Sequence, residues 1–147
     1  MRRSARCPTW RFRHARSGTA WIAIGTALSR TLLDTDVLVD HLRGHRRLDL
    51  VDPTLTISVV TRCELFAGRE VDEASLRRTL DLLHEVILSQ AIAESGGRIR
   101  RATGIPVPDA LIAATALEHD MIVMTRNRRH FERVPGLSVH APEDLAR

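Results

Sequence analysis

At 147 residues the chain has room for one domain and scarcely for two. Aromatic residues make up only 3% and Tyr is absent, so a core must come from Leu, Ile, Val and Ala, and aromatic base-stacking platforms are disfavoured as a route to nucleic-acid binding. The net charge of +4 is unevenly placed: all 22 basic residues are Arg, seven of them fall in the acid-free residues 1–30, and residues 31–147 set 15 Arg against 18 acids, so affinity for a polyanion must come from local Arg clusters or bound metal.

Residues 1–30 show no clear periodicity up to Trp21. They are expected to be a disordered basic arm, or to precede a true start of translation near Leu28. The run Ala20-Trp21-Ile22-Ala23-Ile24 behind basic residues has some likeness to a signal peptide, but cleavage there would fall almost against Leu32-Leu33, the first core strand. Cys7 and Cys63 make neither a disulfide framework nor a zinc site and fit a reducing cytosol. No apolar stretch is long enough for a membrane span, so a cytoplasmic location is expected.

From Thr31 the pattern is regular. Thr31-Leu32-Leu33 predicts a short strand ending at Asp34. A helix is expected over 37–42, stopping near Gly44, then a strand at Leu55-Thr56-Ile57-Ser58 and a helix over 60–67 closed by Gly68. Residues 72–84, with Leu76, Leu80 and Leu83 at helical spacing, predict a longer helix. Val86-Ile87-Leu88 reads as a short strand. A helix over 91–102 carries a weak point at Gly96-Gly97, and a strongly apolar helix over 110–119 follows Pro108. Met121-Ile122-Val123-Met124 predicts a fully buried strand and Leu137-Ser138-Val139 an edge strand. Short apolar strands alternating with helices indicate a single α/β domain over 31–147, with a mostly parallel sheet and helices on both faces. In such folds ligands sit beyond the carboxyl ends of the strands, where the strand order reverses.

Four oxygen-bearing side chains fall at that edge from separate segments. Asp34 follows the first strand, Glu64 lies shortly after the second, Asp109 opens the apolar helix, and Asn127 follows the buried strand. Hard divalent cations take such oxygen donors, and a bound cation orients a phosphodiester and acidifies the attacking water. Each acid also has a purely structural explanation. Asp34 or Asp36 can cap the first helix. Thr61-Arg62-Cys63-Glu64 matches a capping box, and Asp109 suits a helix N-terminus.

Four stretches, Leu32-Leu33-Asp34-Thr35-Asp36-Val37-Leu38-Val39-Asp40, Ile57 to Gly68 with its Thr61-Arg62-Cys63-Glu64 core, Asp109-Ala110-Leu111-Ile112-Ala113-Ala114-Thr115-Ala116, and Val123-Met124-Thr125-Arg126-Asn127-Arg128-Arg129-His130-Phe131, resemble the successive motifs of PIN domains. They most resemble those of the VapC toxins of bacterial toxin–antitoxin pairs. The resemblance covers about residues 31 to 145, with the motifs in the right order and spacing. It implies a Mg²⁺-dependent endoribonuclease, with Mn²⁺ as a second candidate ion, that is homodimeric and neutralised by a VapB-like antitoxin. By position it makes Asp34, Glu64 and Asp109 the catalytic acids. Asp34 and Asp109 are then metal ligands, with Glu64 and Asn127 as further candidates. The family often has a fourth acid where this chain has Asn127, which puts a full two-metal site in question.

Other residues near these motifs carry two readings each. Thr125 sits at a strand end, where its hydroxyl can touch metal or phosphate. Arg126 and Arg128, with Arg129 and Arg133, form a basic cluster beside Asn127 that is either a solvated loop or an RNA-phosphate contact. Arg43, Arg46 and Arg47 form a second cluster. His130 is a candidate general base, but a structural role beside Phe131 is favoured. Asp36 reads as solvated or capping ahead of a place behind the metal site. Cys63 is expected to be buried.

A receiver-type phosphoacceptor domain gathers acids at the same edge but needs a Lys, which this chain lacks. P-loop and dinucleotide signatures are absent. Two alternatives stay open: a catalytically degenerate PIN-like domain that binds RNA or an antitoxin without cutting, kept alive by Asn127, and a housekeeping RNA-processing nuclease.

Overall fold

A computed structural model describes residues 30–69 and 71–145. The expectation of an arm over 1–30 lies, apart from Arg30, outside the described residues. Strands β1 (Thr31–Leu33), β2 (Leu55–Ser58), β3 (His84–Val86), β4 (Ile122–Met124) and β5 (Val139–His140) form one sheet in the order β3-β2-β1-β4-β5. Every pairing is parallel, with Leu33 opposite Ile57 on one side and Met124 on the other. Helices α1 (Thr35–Leu42), α2 (Val59–Phe66), α3 (Glu73–Leu80), α4 (Gln90–Thr103), α5 (Val107–Glu118) and α6 (Arg128–Phe131) are interleaved with the strands, and a 3-10 turn at Pro142–Leu145 follows β5. No helix among the described residues is long and apolar enough to cross a membrane.

Alternation along the strands sends neighbouring side chains to opposite faces, and each face has its own core. Leu33, Ile57 and Met124 pack with Val37 and Leu38 of α1, Leu65 of α2, and Leu76 and Leu80 of α3. Leu32 and Val123 pack on the other face with Ala110, Ile112, Ala113 and Ala116 of α5 and Phe131 of α6. Helices cover both faces, as the strand–helix alternation predicted. Helix α5 buries six of its residues, which accounts for its apolar character all round.

The structure corrects the sequence reading at several points, among them the last strand, which is Val139–His140 and not 137–139. The predicted helix over 72–84 stops at Leu80, and residues 81–83 turn so that buried Leu83 leads into β3. Strand β3 therefore starts at His84, two residues earlier than expected. Its exposed His84 and Glu85 carry no apolar signal because it is an edge strand paired only with β2, while Ile87 is left 74% exposed. Helix α5 begins at Val107 and holds Pro108 within its first turn, where a missing N–H costs no hydrogen bond. Cys63 is exposed, because the buried side of α2 runs through Thr61 and Leu65 and turns Cys63 outward.

The weak point in α4 is a contact. A Cβ on Gly96 would stand 2.7 Å from Leu111 Cδ2 and 3.4 Å from the Ala110 carbonyl, so the missing side chain is what lets α4 lie close on α5. Gly97 faces open space. The pair thus combines one packing requirement with one helix-weakening residue.

Candidate active site

Strand β1 has β2 on one side and β4 on the other, and the crevice beyond the β1–β4 pair is where the strand order reverses. Leu33 ends β1 opposite Met124, so Asp34 and Thr125 emerge side by side. Thr125 donates its hydroxyl proton to Asp34 Oδ2 at 2.7 Å, and the Thr35 backbone N–H donates to Asp34 Oδ1 at 2.8 Å. Asp34 is thus the N-cap of α1 and a fixed carboxylate of the crevice at once. It is only 6% exposed. Its carboxyl is pushed up to about 7, by burial first and by the charges of Asp36 and Asp109 besides, against the pull of the Thr125 hydroxyl and the Thr35 amide.

Glu64 reaches the same place from α2. Its carboxylate accepts the Thr35 hydroxyl, one residue beyond Asp34. The capping-box reading of Glu64 is therefore corrected, because Ser58 caps α2 by accepting from Val60 N at 3.1 Å. A groove of about 780 Å³ between α1, α2 and α3 opens onto Glu64 and brings solvent to it.

Asp109 lies in the first turn of α5, where the helix dipole favours a carboxylate, and it does not cap the helix. Its Oδ2 is 2.5 Å from His130 Nδ1, and the Asn127 amide meets the same ring nitrogen at 2.8 Å. One ring nitrogen cannot both donate to a carboxylate and accept from an amide. With Asp109 ionised the proton sits on Nδ1 facing Oδ2, and the Asn127 amide then turns its oxygen to the ring. His130 is a neighbour of the acid cluster as well as of Phe131.

Arg126 points away from the crevice, and its Nη1 lies 2.9 and 2.7 Å from the two carboxylate oxygens of Asp40 on α1. Arg128 pairs with Glu132 at 2.8 Å along α6. In the second basic cluster, Arg46 meets Glu143 at 3.3 Å. Asp36, read from sequence as solvated or capping, is partly exposed and does not cap α1, whose N-cap is Asp34. Asp36 accepts from the backbone N–H groups of Arg126 and Asn127 at 3.1 and 3.2 Å. Burial raises its carboxyl, and those two amides pull it back down.

The donor set suits a hard cation. Asp34 is buried with negative charge nearby, no Arg or His among the described residues pairs with it, and every candidate donor beside it is an oxygen. No three His, Cys, Asp or Glu side chains among the described residues converge closely enough to enclose an ion.

Tertiary structure thus brings Asp34, Glu64, Asp109, Asn127 and Thr125 to one crevice. It adds Asp36 and His130, for which the sequence reading favoured a structural or solvated role. The available signal for His130 was its place one helical turn after Asn127. For Asp36 it was its place two residues after Asp34, on the helix leaving the same strand.

Comparison with known proteins bears on this geometry. The family model described as PIN domain matches residues 31–137. Ribonuclease VapC19 of Mycobacterium tuberculosis is 36% identical over 119 residues, covering 72% of this chain and 95% of the relative. Ribonuclease VapC10 of the same species is 38% identical over 112 residues, covering 68% and 84%. Among solved structures, a toxin–antitoxin complex from Klebsiella pneumoniae matches with TM-score 0.66 and 34% identity over 76% of this chain and 97% of that one. DNA-bound VapBC from Salmonella typhimurium shares the fold at TM-score 0.70, with 23% identity over 78% of this chain and 98% of that one.

Proposed function

The chain belongs to the PIN domain family, and from that premise we propose that it is a metal-dependent endoribonuclease, the toxin of a toxin–antitoxin pair. The observation that carries the reading is Asp34: a buried carboxylate at the switch point of a parallel sheet, fixed through both oxygens, beside further acids and with no Arg or His partner among the described residues. A structural role alone does not account for it, since burying an unpaired charge is costly. The names of relatives that are more than 30% identical support RNA as the substrate.

In this reading Asp34 and Asp109 hold Mg²⁺ or Mn²⁺, with Glu64 and Asn127 contributing directly or through water. When bound, the ion supplies charge neutralisation at the phosphodiester and a more acidic attacking water. The chain's own residues do the rest. Thr125 and Thr35 hold the Asp34 carboxylate in one orientation, Thr35 also tethers Glu64, and His130 fixes one oxygen of Asp109. Water adds to phosphorus as the P–O bond to ribose breaks, and the leaving oxygen takes a proton. Arg126 and Arg128 are the proposed RNA contacts; Thr125, expected from sequence to touch metal or phosphate, is fully buried and gives its hydroxyl proton to Asp34, so it acts through that carboxylate. Both arginines are engaged at the surface: Arg128 pairs with Glu132, which follows α6, and Arg126 with Asp40.

The partner is a VapB-like antitoxin, a reading supported by the toxin–antitoxin complex of 34% identity. A homodimer is proposed as well: Leu82, Ile87 and Val107 expose apolar side chains that a second copy can cover. The setting is the cytoplasm. Residues 31–147 are taken as the whole catalytic domain and 1–30 as an arm that cleavage does not need, so a chain beginning at Arg30 should melt and cleave like the full one.

Purified protein should cleave single-stranded RNA with Mg²⁺ or Mn²⁺ and stop on chelation. Absence of cleavage with both ions, together with retained antitoxin binding, would establish the degenerate alternative. A strict monomer by light scattering at micromolar concentration would remove the dimer.

A further inference from the structure

Resting on the ribonuclease reading, we infer that Asp36 is a positioning residue for cleavage. From α1 it clasps the backbone of Arg126 and Asn127, and so holds the β4–α6 loop that fixes the Asp34 carboxylate.

Among the described residues, every hydrogen bond that Asp36 accepts comes from residues 125–127. The Arg126 N–H points at both of its oxygens, at 3.3 and 3.1 Å, and the Asn127 N–H reaches Oδ2 at 3.2 Å. These amides belong to another segment, 90 and 91 residues away in sequence, and not to the helix that carries Asp36. With its oxygens taken up by loop amides, Asp36 is turned away from a ligand role.

The clasp continues toward Asp34. The Asn127 N–H is shared, also donating to Thr125 Oγ1 at 2.9 Å. Thr125 has one hydroxyl proton, with Asp34 Oδ2 at 2.7 Å and Asp36 Oδ2 at 3.4 Å competing for it. The shorter contact takes it. Asp36 therefore orders the Asn127 amide, that amide supports the Thr125 oxygen, and Thr125 donates to Asp34. One helical turn along α1, Asp40 grips the Arg126 side chain through Nη1. Two carboxylates at i and i+4 thus hold backbone and side chain of the same loop. The Asp40–Arg126 pair is more exposed and is the weaker of the two holds. From the same loop the Asn127 side chain meets His130, which in turn meets Asp109.

Asp36→Ala and Asp36→Asn separate a positioning role from a merely structural one. The Asn variant keeps an acceptor oxygen for the amides, and the Ala variant keeps none. On the metal-free full chain, amide hydrogen exchange at Arg126 and Asn127 should quicken about tenfold in Asp36→Ala, with β1 and β2 amides unchanged and Asp36→Asn close to the parent. In cleavage of single-stranded RNA with Mn²⁺, Asp36→Ala should lose about tenfold or more in kcat with little change in KM, and Asp36→Asn should recover most of the loss. Unchanged exchange at Arg126 and Asn127 in Asp36→Ala would overturn the clasp. Quickened exchange with parental kcat would overturn its part in cleavage. A parent chain that cuts no RNA would instead overturn the ribonuclease reading, while the exchange comparison would still decide the clasp.

Discussion

Thr125 and Asp34, 91 residues apart, are joined at 2.7 Å by a buried hydrogen bond across the ends of β4 and β1. Neither partner has water to fall back on, since Thr125 is fully buried and Asp34 nearly so. The bond fixes Oδ2 while Thr35 fixes Oδ1, so the carboxylate cannot rotate. It also pulls down a carboxyl that burial raises.

Thr125→Val should therefore weaken cleavage without unfolding the chain. It leaves Asp34 with one fewer donor, shifts the Asp34 carboxyl further upward, and moves the acid limb of the pH–rate profile toward alkali. A loss of about tenfold in kcat is expected, and Thr125→Ser, which restores the hydroxyl, should recover it. A parental pH–rate profile for Thr125→Val would show that the bond does not govern Asp34.

Asp34 should also cost stability in the absence of metal. Its carboxyl titrates near 7 in the fold against 3.8 in the unfolded chain. The folded state binds the extra proton, so the stability is fully present below 3.8 and is lost as pH rises through about 7. Thermal melts in chelator should fall between pH 4 and pH 8, by about 4 kcal/mol at most from this group. Asp34→Asn should flatten that slope, melt higher than the parent at pH 8 and cleave nothing. A lower melting temperature at pH 8 would mean that the charge is structural.

The two adjacent glycines of α4 should respond in opposite directions. Gly96→Ala places a methyl against Leu111 and the Ala110 carbonyl and should destabilise by about 1–3 kcal/mol through overpacking. Gly97→Ala meets nothing within 4 Å and should stabilise by about 0.5–1 kcal/mol. Urea unfolding of the two variants measures both, and equal shifts would contradict the α4–α5 contact.

Asn127 offers a neutral side chain that meets Asp109 only through His130. Calorimetric titration of the RNA-free chain with Mn²⁺ should show one ion bound more firmly than any second. Asn127→Asp should tighten binding, because ligand charge helps set affinity for hard cations. Asn127→Ala should reduce cleavage only in part. Two equally tight ions on the parent, or no gain with Asp, would remove Asn127 as the weak corner of the site.

Much of this molecule was legible in its sequence. The apolar runs at Leu32-Leu33, Ile57 and Val123-Met124, alternating with helical patterns, determined a parallel α/β sheet, and the acids placed after those runs pointed to the edge at which Asp34, Thr125 and Glu64 gather. Local burial leaves a local imprint, so periodicity reports it. Strand β3 left no such imprint, because an edge strand with His84 and Glu85 exposed has no buried face to advertise. What only the tertiary structure decided was who meets whom. Glu64 satisfies the Thr35 hydroxyl and not its own helix start, His130 meets Asp109, and Asp36 holds amides from the far end of the chain. Those partnerships depend on strand register, which sets Leu33 beside Met124 and so brings segments some 90 residues apart within hydrogen-bond reach.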